Sequence, residues 1–431
     1  MHPESVAFYT FGCRLNQAET AVLQRSFESK GYRVVNVDQP ADVVVINTCT
    51  VTENGDADAR RLVQRINMRN PGAKIALVGC QAQIQKEQLA HWANVRWVVG
   101  NAQKLDLATI VEAEPNPVQT QVIVPPIPRK AFRIPTAGID RAHTRANLKI
   151  QDGCDFFCSF CEIPYARGRA RSREFADILW EAQALVAAGH KELVLTGINL
   201  GTYDHEHKKI MDVIEALERI DGLCRIRISS IEPTTIPREL FQRMAQGSKL
   251  CRYLHVPLQS GSDVILKKMK RKYSIQEFQD FIGNVKKVVP EICLGTDCIV
   301  GFPGETSEDF AATVQGLEEL PLSYLHVFSY SERRYAQSRL LPDPVAESEI
   351  RRRSRILRDL SVLKRQQFLH NLLGTTQSVL FEEKKLGDWA GFTDHYARVK
   401  IRTRDSINLQ NQLKLVRLTT LDGQAVRGEL L

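Results

Sequence analysis

The sequence predicts an α/β protein in three parts: an N-terminal parallel α/β sheet domain, a central partial (β/α)6 TIM-like barrel and a small antiparallel β-barrel at the C-terminal end. Three observations carry this. From residue 5 to about 112, short apolar runs alternate with amphipathic stretches, the pattern of a parallel sheet covered by helices. The alternation breaks in a Pro-rich stretch, restarts at Asn147 and continues through about six further β/α units. After residue 374 the period becomes two, apolar then polar or charged, as in half-buried antiparallel strands.

In the first part, strands are expected at 6–11, 32–37, 43–47, 74–79 and 95–99, with helices at 16–30, 54–70 and 81–92. Cys13, Cys49 and Cys80 each fall just past an expected strand end, in Phe-Gly-Cys13, Asn-Thr-Cys49 and Val-Gly-Cys80. Open α/β sheets bind ligands beyond the carboxyl ends of their strands. Three thiols 36 and 31 residues apart are therefore expected at one mouth, as a tricysteine site. Three small buried apolar residues are the plain alternative.

Residues 113–146 hold Glu-Pro-Asn-Pro-Val, Val-Pro-Pro-Ile-Pro-Arg-Lys and Arg-Ile-Pro, a stiff linker that also carries charge. Between Arg129 and Lys149 six cations face only Asp140. A strand at 147–150 then leads into Gln151-Asp-Gly-Cys154-Asp-Phe-Phe-Cys158-Ser-Phe-Cys161-Glu-Ile-Pro-Tyr-Ala-Arg-Gly168. Three thiols spaced C-x-x-x-C-x-x-C on a Gly-bounded loop close on one metal centre and leave one position unfilled by protein. A structural zinc site wants a fourth Cys or His close by, and the next twenty residues offer neither. Thiolates are the usual ligands of iron–sulfur clusters. A zinc loop and three core cysteines are the competing readings.

Further strands are expected at 192–197, 225–229, 252–256, 294–300 and 325–329, with helices at 174–188, 207–220, 235–245, 262–270, 274–289 and 306–319. Active residues of such barrels sit at strand ends. Between Ile350 and Asn371, seven cations against Asp359 form a basic helix, which by itself also reads as a solvated helix face. Two basic segments flanking a reactive centre point to a polyanion such as RNA. Strands at Ser378-Val-Leu-Phe, His395-Tyr-Ala-Arg-Val-Lys-Ile-Arg and Leu413-Lys-Leu-Val-Arg-Leu complete the chain, with arginines on the outer face of a small barrel.

The formal charge is +8 and there are ten cysteines. No window has the apolar length to span a bilayer, and the first residues lack a basic start with an apolar run, so a soluble, cytoplasmic protein is expected. In that setting cysteines point to metal ligation more than to disulfides. Cys224, Cys251, Cys293 and Cys298 follow no spacing rule and read as core thiols. The ten histidines lack ligand spacing, and no Gly-rich phosphate loop or Ser-His-Asp arrangement stands out.

Across nearly its whole length the chain resembles the radical S-adenosylmethionine (SAM) methylthiotransferases. The landmarks are Phe-Gly-Cys13-Arg-Leu-Asn-Gln-Ala-Glu, Asn-Thr-Cys49-Thr-Val, Val-Gly-Cys80, the Cys154 to Arg173 segment, Pro-Leu-Gln259-Ser-Gly-Ser-Asp263 and Val-Gly-Phe-Pro-Gly-Glu305. The segments around Cys13 and Cys161 are most similar to the enzymes acting on N6-threonylcarbamoyladenosine at position 37 of tRNA. The resemblance implies a methylthiotransferase domain over 5–115, a Pro-rich basic linker over 116–140, a radical SAM barrel with its basic helix over 141–372 and a TRAM-like β-barrel over 374–431. Two positions depart from the pattern. Cys298 stands where an aliphatic residue is usual, and Phe-Ser-Tyr-Ser-Glu-Arg-Arg-Tyr335 lacks the Gly-Thr often seen after the last strand.

The same resemblance implies two 4Fe-4S clusters, on Cys154, Cys158 and Cys161 and on Cys13, Cys49 and Cys80, with two SAM molecules consumed per turnover. The first cluster would cleave SAM to a 5′-deoxyadenosyl radical, which takes the hydrogen from carbon 2 of adenine. No protein base removes that hydrogen at neutral pH. The second cluster would present the sulfur, and a second SAM the methyl group. Thr196, Gly197, Asn199, Glu232 and Gln259 are the candidate SAM contacts at strand ends, and each also has an ordinary reading as turn, surface or capping residue. Arg167, Arg169, Arg171 and Arg173 are candidates for phosphate, with Arg167 also placed to orient substrate; solvated arginines are the alternative. Expected partners are tRNA and an electron donor such as flavodoxin or ferredoxin, with no membrane and a monomer favoured. Action on another tRNA base or on a ribosomal protein side chain, and a zinc-containing RNA-binding protein, are the other functions considered.

Overall fold

A computed structural model describes residues 4–50, 53–139, 143–403 and 407–431. The N-terminal part runs β1 (Ser5–Thr10), α1 (Arg14–Ser29), β2 (Arg33–Val34), β3 (Val43–Thr48), α2 (Glu53–Arg69), β4 (Lys74–Gly79), α3 (Cys80–Ile84), α4 (Lys86–Ala90), β5 (Val95–Val99), α5 (Leu107–Ala113) and β6 (Gln121–Ile123). All six strands are parallel in the order β2-β1-β3-β4-β5-β6. Every residue of β3, Val43-Val-Val-Ile-Asn-Thr, is buried, as a central strand covered on both faces demands. One face packs Val44, Ile46, Ile75, Leu77 and Val98, the other Val43, Val45, Ala76, Val78 and Trp97. The single helix expected over 81–92 is two short ones, and residues 121–123, expected in the linker, extend the sheet beside β5. The rest of the linker is laid down on the barrel. Phe132 bridges to Arg173, while Asp177 and Glu181 accept from the Ile134 and Gly138 amides at 3.1 and 2.8 Å.

The central part comprises β7 (Ala146–Lys149), the short pair β8 (Gln151–Asp152) and β9 (Arg171–Ser172) with α6 (Ile163–Arg167) between them, α7 (Phe175–Ala187), β10 (Glu192–Thr196), the hairpin β11 (Asp204–His205) and β12 (Lys208–Lys209), and α8 (Ile210–Glu218). It continues through β13 (Arg225–Ile228), α9 (Glu239–Ala245), β14 (Tyr253–His255), α10 (Asp263–Lys268), α11 (Ile275–Val288), β15 (Cys293–Val300), α12 (Ser307–Glu319), β16 (Tyr324–Ser329) and α13 (Glu347–His370). Strands β7-β10-β13 and β14-β15-β16 form two parallel sheets, joined where Ile226 pairs with Leu250. Six parallel strands in chain order make the open barrel the alternation predicts. Alternate residues such as Leu148, Leu193, Leu195, Ile226, Leu254, Leu294 and Cys298 face the helices and form the largest core. Ser274 with Glu277 and Thr306 with Asp309 close capping boxes at α11 and α12. Cys224, expected in the core, is exposed, whereas Cys251, Cys293 and Cys298 are buried.

The last part is a closed five-stranded barrel of β17 (Thr376–Lys385), β18 (Asp388–Thr393), β19 (Arg398–Arg402), β20 (Leu413–Asp422) and β21 (Ala425–Leu430), ordered β17-β18-β19-β21-β20 around Val379, Phe381, Val399, Ile401 and Val416. The loop after β18 docks on the amino ends of the central strands. Arg252 pairs with Asp394 at 2.7 Å, Arg227 and Arg365 donate to the Asp394 and Tyr396 carbonyls at 2.8 and 2.7 Å, and Arg14 reaches the Tyr396 hydroxyl at 2.5 Å. Among the described residues no helix is long and apolar enough to cross a membrane.

Candidate iron–sulfur and SAM site

Because β1, β3 and β4 are adjacent and parallel, the residues after their carboxyl ends share one rim. Cys13 caps α1 three residues beyond β1, Cys49 follows β3 and Cys80 follows β4. Gly12 adopts φ +87°, and a Cβ there would lie 2.6 Å from the Cys49 sulfur, so the first loop rests on the second thiol. Side chains that sequence reasoning missed fasten the three loops. The Asn16 amide donates to the Phe11 and Thr48 carbonyls at 2.7 and 3.0 Å, and the Asn47 amide to the Asn16 carbonyl at 3.0 Å. The Thr48 hydroxyl donates to the Val78 carbonyl at 2.7 Å and accepts from the Gln81 amide at 3.2 Å. Their adjacency to the cysteines in sequence was the available signal.

Cys154, Cys158 and Cys161 occupy the loop between β8 and α6. Gly153, at φ +71°, is held so close to the returning chain that a Cβ would sit 2.1 Å from the Arg169 carbonyl oxygen. Gln151 is a second residue the sequence left unmarked. Its Nε2 donates to the Gly153 carbonyl at 2.8 Å, and its Oε1 accepts from the Ile198 and Asn199 amides at 2.8 and 3.1 Å. The cluster loop is thereby tied to the loop after β10. Burial pushes the Cys154 thiol up to about 11 and raises Cys158 and Cys161, the latter with the Cys158 charge adding to it. Thiols held in their protonated form by burial ionise more readily beside positive charge. Arg271 supplies such charge, donating to the Cys158 sulfur at 3.3 Å.

The candidate SAM contacts fall into two groups. Thr196, Gly197, Asn199 and Glu232 lie together beside Gln151. The Thr196 hydroxyl and Asn199 Nδ2 are buried without a protein partner, as polar groups awaiting a ligand are. A Cβ on Gly197 would meet the Gln151 side chain at 2.9 Å, so this glycine serves a close approach. Glu232 is not a surface carboxylate: Arg271 engages both its oxygens, one at 3.2 Å, and burial raises its pKa. Gln259 lies apart from these, beyond the end of β14 where it bridges to Cys298, with φ +82°, a left-handed conformation costly for a side-chain-bearing residue.

Gln259 lines a cavity of about 190 Å3 together with Cys161, Asp297, Phe328, Arg333 and Thr50, the neighbour of Cys49. Asp297 accepts from His255 Nε2 at 2.8 Å and faces His326 Nδ1 at 3.5 Å. Burial would raise this carboxyl, yet the two imidazoles hold it below the usual range. Glu162 and Arg333 join the cavity wall to the N-terminal part, Arg333 reaching Thr50 and Asp56 at 2.7 Å each.

The structure places Arg167 and Arg173 inside the protein. Both are fully buried among internal partners, with the Arg167 Nε alone left unpaired. Arg173 pairs with Asp177 and Glu181. Arg167 donates to Asn16 at 2.6 Å, to Glu19 at 3.1 Å and to Asp152 at 3.0 Å. Glu19 also pairs with Lys104 and Lys149, and Asp152 with Lys149 and Arg171. Four cations thus meet two carboxylates between the tricysteine sites. Burial weakens the hold of Arg167 on its proton, but Cys80, Glu19, Asp152 and Cys13 around it raise it well above the ordinary value. The basic segments are likewise partly spent internally: Arg133 pairs with Glu174, Arg145 with Glu382 and Arg353 with Glu305 and Glu349.

Comparison with known proteins gives a consistent picture. Residues 148–317 match the radical SAM superfamily and residues 5–100 the uncharacterized protein family UPF0004. The chain is 37% identical to the threonylcarbamoyladenosine tRNA methylthiotransferase MtaB of Aquifex aeolicus, over 92% of this chain and 96% of that protein. It is 36% identical to the MtaB of Bacillus subtilis, over 96% and 94%. It is 32% identical to the tRNA-2-methylthio-N(6)-dimethylallyladenosine synthase of Dehalococcoides mccartyi, over 89% of each. Among solved structures, the radical S-adenosylmethionine methyltransferase TsrM from Kitasatospora setae shares the fold, with TM-score 0.56 and 17% identity over 76% of this chain and 75% of that one.

Proposed function

The chain belongs to the family of the threonylcarbamoyladenosine tRNA methylthiotransferases, and on that premise we propose that it transfers a methylthio group to carbon 2 of N6-threonylcarbamoyladenosine at position 37 of tRNA. The observation that carries the reading is the cavity lined by Cys161 and by Thr50, the chain neighbour of Cys49. Its volume is below the roughly 300 Å3 at which pockets for larger ligands begin, which suits one planar base.

Cys154, Cys158 and Cys161 would hold one 4Fe-4S cluster and Cys13, Cys49 and Cys80 the second. The donor sets fit: each is three thiols, and the surplus cations around Arg167 are balanced once Cys13 and Cys80 are thiolates. When bound, these groups supply radical cleavage of SAM, removal of the hydrogen at carbon 2 and delivery of sulfur, with a second SAM as methyl donor. The chain's own work is placement. Thr196 and Asn199 offer unpaired polar atoms for SAM, Arg271 steadies Cys158 and Glu232, and Gln259 and Asp297 present polar groups to the base. A small one-electron donor such as flavodoxin or ferredoxin and a monomeric, cytoplasmic protein belong to the same proposal.

Mass spectrometry of nucleosides from total tRNA of cells with and without the gene tests it. The 2-methylthio derivative of N6-threonylcarbamoyladenosine should vanish and its precursor accumulate; an unchanged profile sinks the assignment. In the purified protein, Cys158→Ala should abolish reductive SAM cleavage. Cys49→Ala should keep that cleavage, lose about half the iron and make no product.

A further inference from the structure

In the segment 331–338, where the expected Gly-Thr is missing, Ser331 and Arg333 line the cavity and the remaining residues have no part in the chemistry above. The segment is nevertheless firmly anchored over the cluster loop. The Tyr335 amide donates to Glu162 at 2.8 Å, the Ser338 amide to the Ser159 carbonyl at 2.8 Å, and Arg333 pairs with Glu162 and Asp56. What this segment turns outward is an aromatic ring. Tyr335 stacks on Tyr165 with centroids 5.4 Å apart and planes 22° from parallel, and Tyr165 meets Phe157 edge to face at 6.0 Å. The Arg169 guanidinium lies 4.2 Å from the Phe157 centroid and that of Arg334 5.5 Å from the Tyr335 centroid. The two tyrosines remain 39% and 40% exposed, and Phe157 is held at φ +50°.

Large rings are ordinarily buried in a core or an interface. Here two of a row of three are exposed and the third, Phe157, is half-buried, with a cation at each end. Phe157 lies between Cys154 and Cys158, Tyr165 follows Cys161 by four residues, and Glu162, Ile163 and Arg333 belong to the cavity wall. The row therefore begins where the cavity wall ends. Unstacked bases of single-stranded RNA are recognised by stacking on aromatic side chains and arginine planes, with cations tracking the phosphates. A protein partner would suit the rings alone; the guanidinium of Arg334, with that of Arg169, which also pairs with Asp155 at 3.2 Å, favours a polyanion.

We propose that Phe157, Tyr165 and Tyr335, bracketed by Arg169 and Arg334, form a stacking platform for an unpaired base adjoining the adenosine that enters the cavity. The proposal rests on the tRNA reading of the site. Holding the neighbour on the platform offsets the stacking that the target base loses when it leaves the strand.

The test is the affinity of the reconstituted full-length protein for anticodon stem-loop RNAs: intact, or with an abasic residue on either side of the target adenosine. Tyr335→Ala is expected to weaken binding of the intact RNA about tenfold, while Tyr335→Phe, which keeps the ring, stays within about twofold. The effect of Tyr335→Ala should disappear on one of the abasic RNAs. A 2-aminopurine at that position should be quenched by the wild type and not by Tyr335→Ala. Two results overturn the platform: wild-type affinity in both Tyr335→Ala and Tyr165→Ala, or a loss that persists undiminished on both abasic RNAs. If the wild type does not prefer the stem-loop to a scrambled hairpin, the tRNA reading fails and the platform with it.

Discussion

The guanidinium of Arg167 stands between Glu19 of the N-terminal part and Asp152 at the start of the cluster loop, with no exposure to solvent. Removing one partner of such a network leaves buried charge uncompensated, at a cost of about 3–5 kcal/mol. Arg167→Ala should therefore lower the melting temperature and release iron from the site of Cys13, Cys49 and Cys80. Iron content and melting measured together check this; a variant with normal iron and stability excludes the bridging role. His395 is a second such residue. Burial pushes it down to about 4, with Arg252 and Arg225 opposing its charge and Asp394 and Glu291 favouring it. The folded protein keeps this imidazole neutral, whereas the unfolded chain takes up a proton near pH 6.5. Its contribution is thus complete above pH 6.5 and falls, by about 3 kcal/mol in all, as pH drops towards 4. Replacing His395 by Asn should flatten the stability profile over that window in a series of urea titrations.

The cluster loop depends on two residues just before its first cysteine. Gly153 is the only kind of residue that its approach to the Arg169 carbonyl allows, so Gly153→Ala should cost on the order of 3 kcal/mol and prevent cluster reconstitution. Absorbance near the cluster band after anaerobic reconstitution would report it. Gln151 joins this loop to the loop after β10 by amide contacts in both directions. Gln151→Ala should reconstitute iron yet bind SAM more weakly, because Thr196 and Asn199 lose their fixed position. Equal SAM affinity in the variant would remove Gln151 from the site.

Across the whole molecule, the C-terminal barrel is fastened to the central part through Asp394 and Tyr396, which places its outer cations in a constant relation to the cavity. The basic helix α13 divides into structural and exposed charge. Arg353 is buried against Glu305, whereas Arg355 and Arg358 face solvent. Reversing Arg355 and Arg358 should weaken RNA binding and lower the slope of log affinity against log salt by about one per lost phosphate contact. Reversing Arg353 should unfold the helix end instead. A salt titration of stem-loop binding separates the two, and an unchanged slope in the Arg355 and Arg358 variant would place the RNA elsewhere.

The three-part architecture and both cysteine sets were legible in the chain because strand period, helix period and cysteine placement are local properties. The adjacency of β1, β3 and β4 follows from parallel α/β topology, so Cys13, Cys49 and Cys80 were brought to one rim by rules that need no coordinates. The linker's contribution of β6 and the exposure of Cys224 were not legible, since edge pairing and burial depend on what packs alongside. Charge was read least well. Arg167, Arg173 and Arg353 look like free cations in sequence, and only tertiary structure brings Glu19, Asp152, Glu181 and Glu305 against them. The sequence by itself determined the order of the three parts and the placement of both cysteine sets at strand ends, because period and spacing are local properties. Tertiary structure alone decided which charged and aromatic groups remain accessible for a substrate, because accessibility is set by neighbours distant in the chain.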